Sequence, residues 1–213
     1  METVKKILSG ISFSRFLIFH PFKGFWDLKH EKRGNLPSAI VILSGLVLVF
    51  IMRRQFTGFI FNYNSPEDFN VFFQITGIVL PFLLWCVSNW CITTLVDGEG
   101  FLKDIFITMS YATVPLIIIN VTMVILSRFM TEQEAAFYNI LDAVAIIWAV
   151  LLVICGLMTV HQFSLGKTIF TIIVALVCTV IILFILVLFV TLIQNIINFL
   201  RLILNEAELR MTY

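Results

Sequence analysis

The sequence predicts an all-α membrane protein. It reads as a polytopic helical bundle of five transmembrane helices, with an N-terminal amphipathic interfacial helix and a long fifth helix. Three observations predict this. The 213 residues are 60% hydrophobic and 13% charged, with a mean hydropathy of +1.04, whereas a soluble domain is nearer half apolar and a quarter charged. Five apolar runs reach the roughly 17 residues that a tight bilayer crossing needs. The connections between them are too short to hold a domain. The solvent for most of the chain is therefore lipid.

Residues 1–34 form a mixed interfacial segment ahead of the five-span bundle at 35–213. Lys5, Lys6, Arg15, Lys23, Lys29, Lys32 and Arg33 alternate there with Phe and Trp. From Pro21 on, Phe22, Phe25 and Trp26 fall at helical spacing, with Lys23, Asp27 and His30 on the other side. Pro at the first helical position and Trp/Phe beside Lys suit a helix lying in the headgroup layer. The same helix could serve as a docking element for a partner, with Trp26 at its centre.

The spans are expected at Leu36–Met52, Phe69–Val96 with Pro81 inside, Ile105–Met130 with Pro115 inside, Phe137–Val160 and Thr168–Leu204. Asn62, Asn64, Ser65 and Pro66 mark a turn between the first two. Proline frees a backbone carbonyl and permits a kink. The fifth run is too long. As one helix it would reach about 55 Å against a hydrocarbon core of about 30 Å. Gln194, Asn198 and Arg201 recur at helical spacing near its end, opposite an apolar face, and the chain closes in the polar stretch NEAELRMTY. So the end of this helix either projects or turns along the surface. Seven Lys and Arg residues precede the spans, and with Lys103 and Lys167 they put nine of the fourteen on the face of the N-terminus, which predicts a cell-membrane protein with its N-terminus in the cytoplasm and its C-terminus outside.

The densest polar chemistry between spans is the loop DGEGFLKD, with Asp97, Glu99, Lys103 and Asp104. Two carboxylates around a flexible turn fall short of the six to eight oxygens that calcium requires. A charged, solvated turn that offers a partner contact is the reading that remains. Gly166-Lys167-Thr168 resembles the end of a phosphate-binding loop, but His161 stands where that motif needs its first Gly. His161 is expected to bond a neighbouring loop. Asp142 lies about one turn into the fourth span, where a carboxylate is costly and usually paired. It either caps the helix start or contacts Asn120, Asn139 or a partner subunit. Cys86, Cys91, Cys155 and Cys178 sit singly in apolar runs without ligand spacing. No nucleophile elbow, paired catalytic carboxylates, zinc motif or cofactor motif is visible, so the chain reads as a non-enzyme without cofactor. The net charge of +1 argues against a nucleic-acid partner.

Three stretches carry a resemblance. HPFKGFWDLK at 20–29 leads into the first span, and NWCITTLVDGEGFLKDIFITMSYATVP at 89–115 is a helical hairpin with Tyr111 four residues before Pro115. HQFSLGKT at 161–168 links the last two spans. Together they resemble the bacterial members of the Yip family, five-span membrane proteins named for interaction with Ypt/Rab GTPases. The resemblance implies a non-catalytic scaffold that binds the bilayer and other membrane proteins. It further implies an accessory subunit of a carbohydrate ABC importer, with permease subunits as partners. The alternative is a stand-alone transporter or channel, with a polar path lined by Asp142, Asn120, Asn89 and Gln74.

Overall fold

A computed structural model describes the backbone at residues 2–62 and 69–212, and side chains at 7–62 and 69–206. The described residues form helices joined by short loops. Helix α1 is Glu2–Phe19 and α2 is Pro21–His30. The spans follow as α3 (Leu36–Phe56), α4 (Val71–Leu95), the split pair α5 (Leu102–Ala112) and α6 (Val114–Leu126), α7 (Ala135–His161) and α8 (Leu165–Thr212). Five of these units are long and apolar enough to cross a membrane, α5 and α6 counting as one. An odd number of crossings puts the two ends of the bundle on opposite faces. The expected turn after Asn62 falls at 63–68, outside the described residues.

Local chemistry sets the helix ends. Asn35 Oδ1 accepts from Ser38 N at 2.8 Å, with Pro37 inside the first turn of α3. Asn70 Oδ1 accepts from the backbone N–H groups of Phe72 and Phe73 and starts α4. A capping side chain satisfies donors that have no partner inside the helix. The two prolines behave differently. Pro81 stays within an unbroken α4, whereas the helix is interrupted at Thr113, two residues before Pro115.

Helix α2 is more than a surface anchor. Phe22 and Trp26 are exposed, as an interfacial helix requires, but Phe25, Asp27 and Leu28 are buried. Asp27 thus leaves the polar side on which its spacing placed it, because α2 packs against α7 instead of floating in the headgroups. Gly156 makes that approach possible. A Cβ there would lie 2.5 Å from Thr108 Cγ2 and 3.2 Å from the Phe25 ring. Close helix packing through small residues is the usual device where lipid removes the hydrophobic drive for helices to associate.

The main core joins Leu17 of α1, Phe25 and Leu28 of α2, Ala39 and Ile42 of α3, Ile107 and Tyr111 of α5, and Leu152 of α7. Tyr111 is fully buried, and its hydroxyl fills the space beside Gly10 and Ser38. Pro115 is buried at the start of α6. Helix α8 stands apart. It packs chiefly on α4 through Thr168, Thr171 and Ala175, and every side chain from Thr191 to Glu206 is exposed. Hydroxyls on lipid-facing surfaces bond back into their own helices. Ser44, Thr76, Thr122 and Thr191 each donate to the carbonyl four residues earlier, at 2.8–3.0 Å.

Candidate functional site

Two polar centres lie at opposite faces of the bundle. The first, on the face that carries α1 and α2, is built on the loop from α4 to α5. Asp97 takes a left-handed conformation, with φ of 56°, and Gly98 N donates to Thr93 O at 2.8 Å. Gly100 N then donates to Nδ1 of His161 at 3.2 Å. That contact assigns the proton of neutral His161 to Nε2. Gly100 is required by closeness, since a Cβ there would stand 2.6 Å from both His161 Cε1 and Val160 Cγ1. Glu99 accepts from Gln162 Nε2 at 2.8 Å and pairs with Lys29 at 3.6 Å. Lys29 also donates to Val160 O at 2.7 Å. Asp104 turns back to accept from Phe101 N at 3.3 Å and opens α5.

The end of α2, the loop and the end of α7 are thereby tied into one platform. Around it Trp26, Leu95 and Phe101 are exposed, the last to 75%. Lys103 and Asp97 are exposed beside them. The expected bond from His161 to a loop is present, and His161 itself is buried and stacked on Phe163. Lys167 sits over the same ring at 4.1 Å. His161→Ala is expected to raise amide exchange at Gly98–Phe101 by about tenfold, the loss of roughly 1.4 kcal/mol of local protection. Gly100→Val should do the same by pushing the ring away. Exchange unchanged in both variants would show that the loop holds itself.

The second centre lies near the opposite face, inside the spans. Arg53 of α3 forms a two-pronged pair with Asp142 of α7, Nη1 to Oδ1 at 2.8 Å and Nη2 to Oδ2 at 3.1 Å. The same Nη1 donates to Asn120 Oδ1 of α6 at 2.6 Å. Asn120 passes its amide hydrogen on to Leu116 O at 2.8 Å. One guanidinium therefore ties three spans. Asp142 meets the expected partner Asn120 only through Arg53, which donates to both. Asn139 does not bond Asp142. It lines an adjoining cavity of about 380 Å³ with Arg53, Arg54, Gln74 and Tyr138.

Asn89 is elsewhere. It lies about 22 Å along α4 from Gln74, fully buried, with its amide atoms unpartnered among the described residues. Gln194, Asn198 and Arg201 are exposed on the far part of α8 and join neither centre. Among the described residues no three His, Cys, Asp or Glu side chains converge as a metal site. The four cysteines are free thiols.

No curated protein and no solved structure matches this chain. A family model described as the Yip1 domain matches residues 15–193, which includes α2, both polar centres and all five spans up to the exposed end of α8. The chain belongs to the Yip1 domain family.

Proposed function

We propose that this protein is a non-catalytic membrane adaptor that binds other membrane proteins through the platform around Glu99. One observation carries the reading. A loop of six residues is fixed by His161, Gln162 and Lys29, yet presents Phe101 to the outside, beside exposed Leu95 at the end of α4 and Trp26 of α2. An exposed aromatic on a held backbone loses little entropy on binding, which is what a docking surface needs. The excess of basic residues on this side supports a cytoplasmic platform in a cell-membrane protein with the C-terminus outside. The resemblance to bacterial Yip proteins supports the permease subunits of a carbohydrate ABC importer as the partner.

The full chain, purified in mild detergent, is expected to carry an identified permease, and Phe101→Asp should reduce that permease at least tenfold without lowering the melting temperature. A chain that purifies free of permease, or capture that ignores Phe101, rejects the reading. A second reading, a stand-alone transporter, is favoured by buried polar groups without partners among the described residues, Ser88, Asn89 and Thr108. It requires solute flux in reconstituted vesicles that is lost in Asp142→Asn.

A further inference from the structure

Helix α8 is longer than any bilayer requires. Its 48 residues span about 72 Å, against a hydrocarbon core of about 30 Å. It begins where Lys167 covers Phe163, at the face that carries α1 and α2. Counted from there, about 20 residues cross an upright helix, and about 26 cross one tilted by 40°. The helix therefore leaves the membrane at or before Ile193, where the family match also ends. The stretch beyond Ile193 lies outside the matched residues.

This stretch does not lie down on the membrane surface. No Pro or Gly occurs after Gly166, and the helix runs unbroken to Thr212. A sharp bend needs such a breaker. Yet the projecting part is apolar along one side. The stripe that α4 covers, Thr168, Thr171 and Ala175, runs on through half-buried Leu183 and Leu186. It then continues in phase as Val190, Ile193, Ile197, Leu200 and Leu204, with steps of three and four residues. Ile196 and Ile203 widen it. Gln194 and Arg201 border it, and Asn198 and Asn205 lie further round the helix. Helix α4 starts at Val71 and covers none of the projecting stripe, whose side chains are all exposed.

We propose that the projecting part of α8, Val190–Leu204, pairs with the same segment of a second copy of this chain. Two copies in one bilayer point α8 the same way, so the pairing is parallel. A stripe with steps of three and four presents an identical seam on each copy and needs no other partner sequence. Leu183, Val190, Ile197 and Leu204 then occupy the a positions and Leu186, Ile193 and Leu200 the d positions; Val190 and Ile197 at a with Leu186 and Leu200 at d favour two parallel strands, and Leu183, Leu204 and Ile193 depart from that arrangement. The seven apolar side chains expose on the order of 600 Å² on each copy, close to the roughly 800 Å² per partner of a stable interface. This pairing is independent of the adaptor reading, because it uses the opposite face of the bundle.

Cysteine pairing in native membranes tests it, in a full-length background with the four native cysteines replaced by alanine. Under mild oxidation Ile197→Cys should form a covalent dimer at least tenfold faster than its neighbour Asn198→Cys, which lies about 100° around the helix. Equal rates, or none, overturn the proposal. A second measurement does not depend on that background. Light scattering of the otherwise natural chain in detergent should give the mass of two copies, falling to one in Ile197→Asp/Leu200→Asp with the melting of the bundle unchanged. A single copy in the natural chain, three or more copies, or two copies that survive the double substitution would each reject it.

Discussion

Asp142→Ala is expected to cost about 2–4 kcal/mol of stability, measured by thermal unfolding in detergent. Removing one member of a buried ion pair typically costs about 3–5 kcal/mol, because the other charge is left without its partner. The figure here is set lower because the two side chains keep 27% and 30% of their surface exposed. The loss also reaches beyond the pair. Arg53 holds Asn120 through the same nitrogen, so three spans loosen together. A double-mutant cycle with Arg53→Ala should return a coupling above about 1 kcal/mol, since contacting residues in one network are not additive. Replacing both partners, as Arg53→Met with Asp142→Leu, should recover most of the stability, because an apolar pair carries no desolvation cost. Additive single changes would mean that each group is hydrated separately in the folded protein.

Tyr111→Ala is expected to be the most damaging single truncation, at about 3–5 kcal/mol, the usual range for an aromatic removed from a core. Tyr111 is fully buried in the main cluster, among residues of α1, α2, α3 and α7. The hydroxyl is a different matter. It makes no hydrogen bond of good geometry, although Ser38 is its polar neighbour. Tyr111→Phe should therefore cost less than about 1 kcal/mol. Melting curves of the two variants, with protease sensitivity of α1 as a local readout, separate ring from hydroxyl. Equal losses in both would assign the stabilisation to the hydroxyl.

The spans were legible because each is a long run of one chemistry. Boundaries moved by a few residues: α3 continues to Phe56 past Arg53 and Arg54, the third span runs Leu102–Leu126 where 105–130 was expected, and α8 runs from Leu165 to Thr212, beyond both ends of its apolar run. That His161 bonds a loop was legible from its place at a span end; that the loop is the one holding Gly100, 61 residues earlier, was not. Rotation of helices was not. Asp27 sits on the polar side of α2 by spacing, and only the packing of α2 among α1, α5 and α7 accounts for its burial. Arg53 and Asp142 are 89 residues apart in the chain, and nothing local in either marks the other. Helix α1 was missed because its Ser, Gly and Lys residues blur the apolar stripe, whose core members become visible only against α2 and α3.

The Arg53–Asp142 pair also has a consequence in time. The chain is made from its N-terminus, and at about 5–20 residues per second the 89 residues between the partners take roughly 4–18 s to synthesise. During that interval the first span exists with a guanidinium and no carboxylate to meet it. Asn120 emerges sooner but brings no charge. The first three membrane crossings can therefore be threaded while Arg53 stays hydrated at the bilayer edge. Arrival of the fourth brings Asp142, the carboxylate that completes the pair.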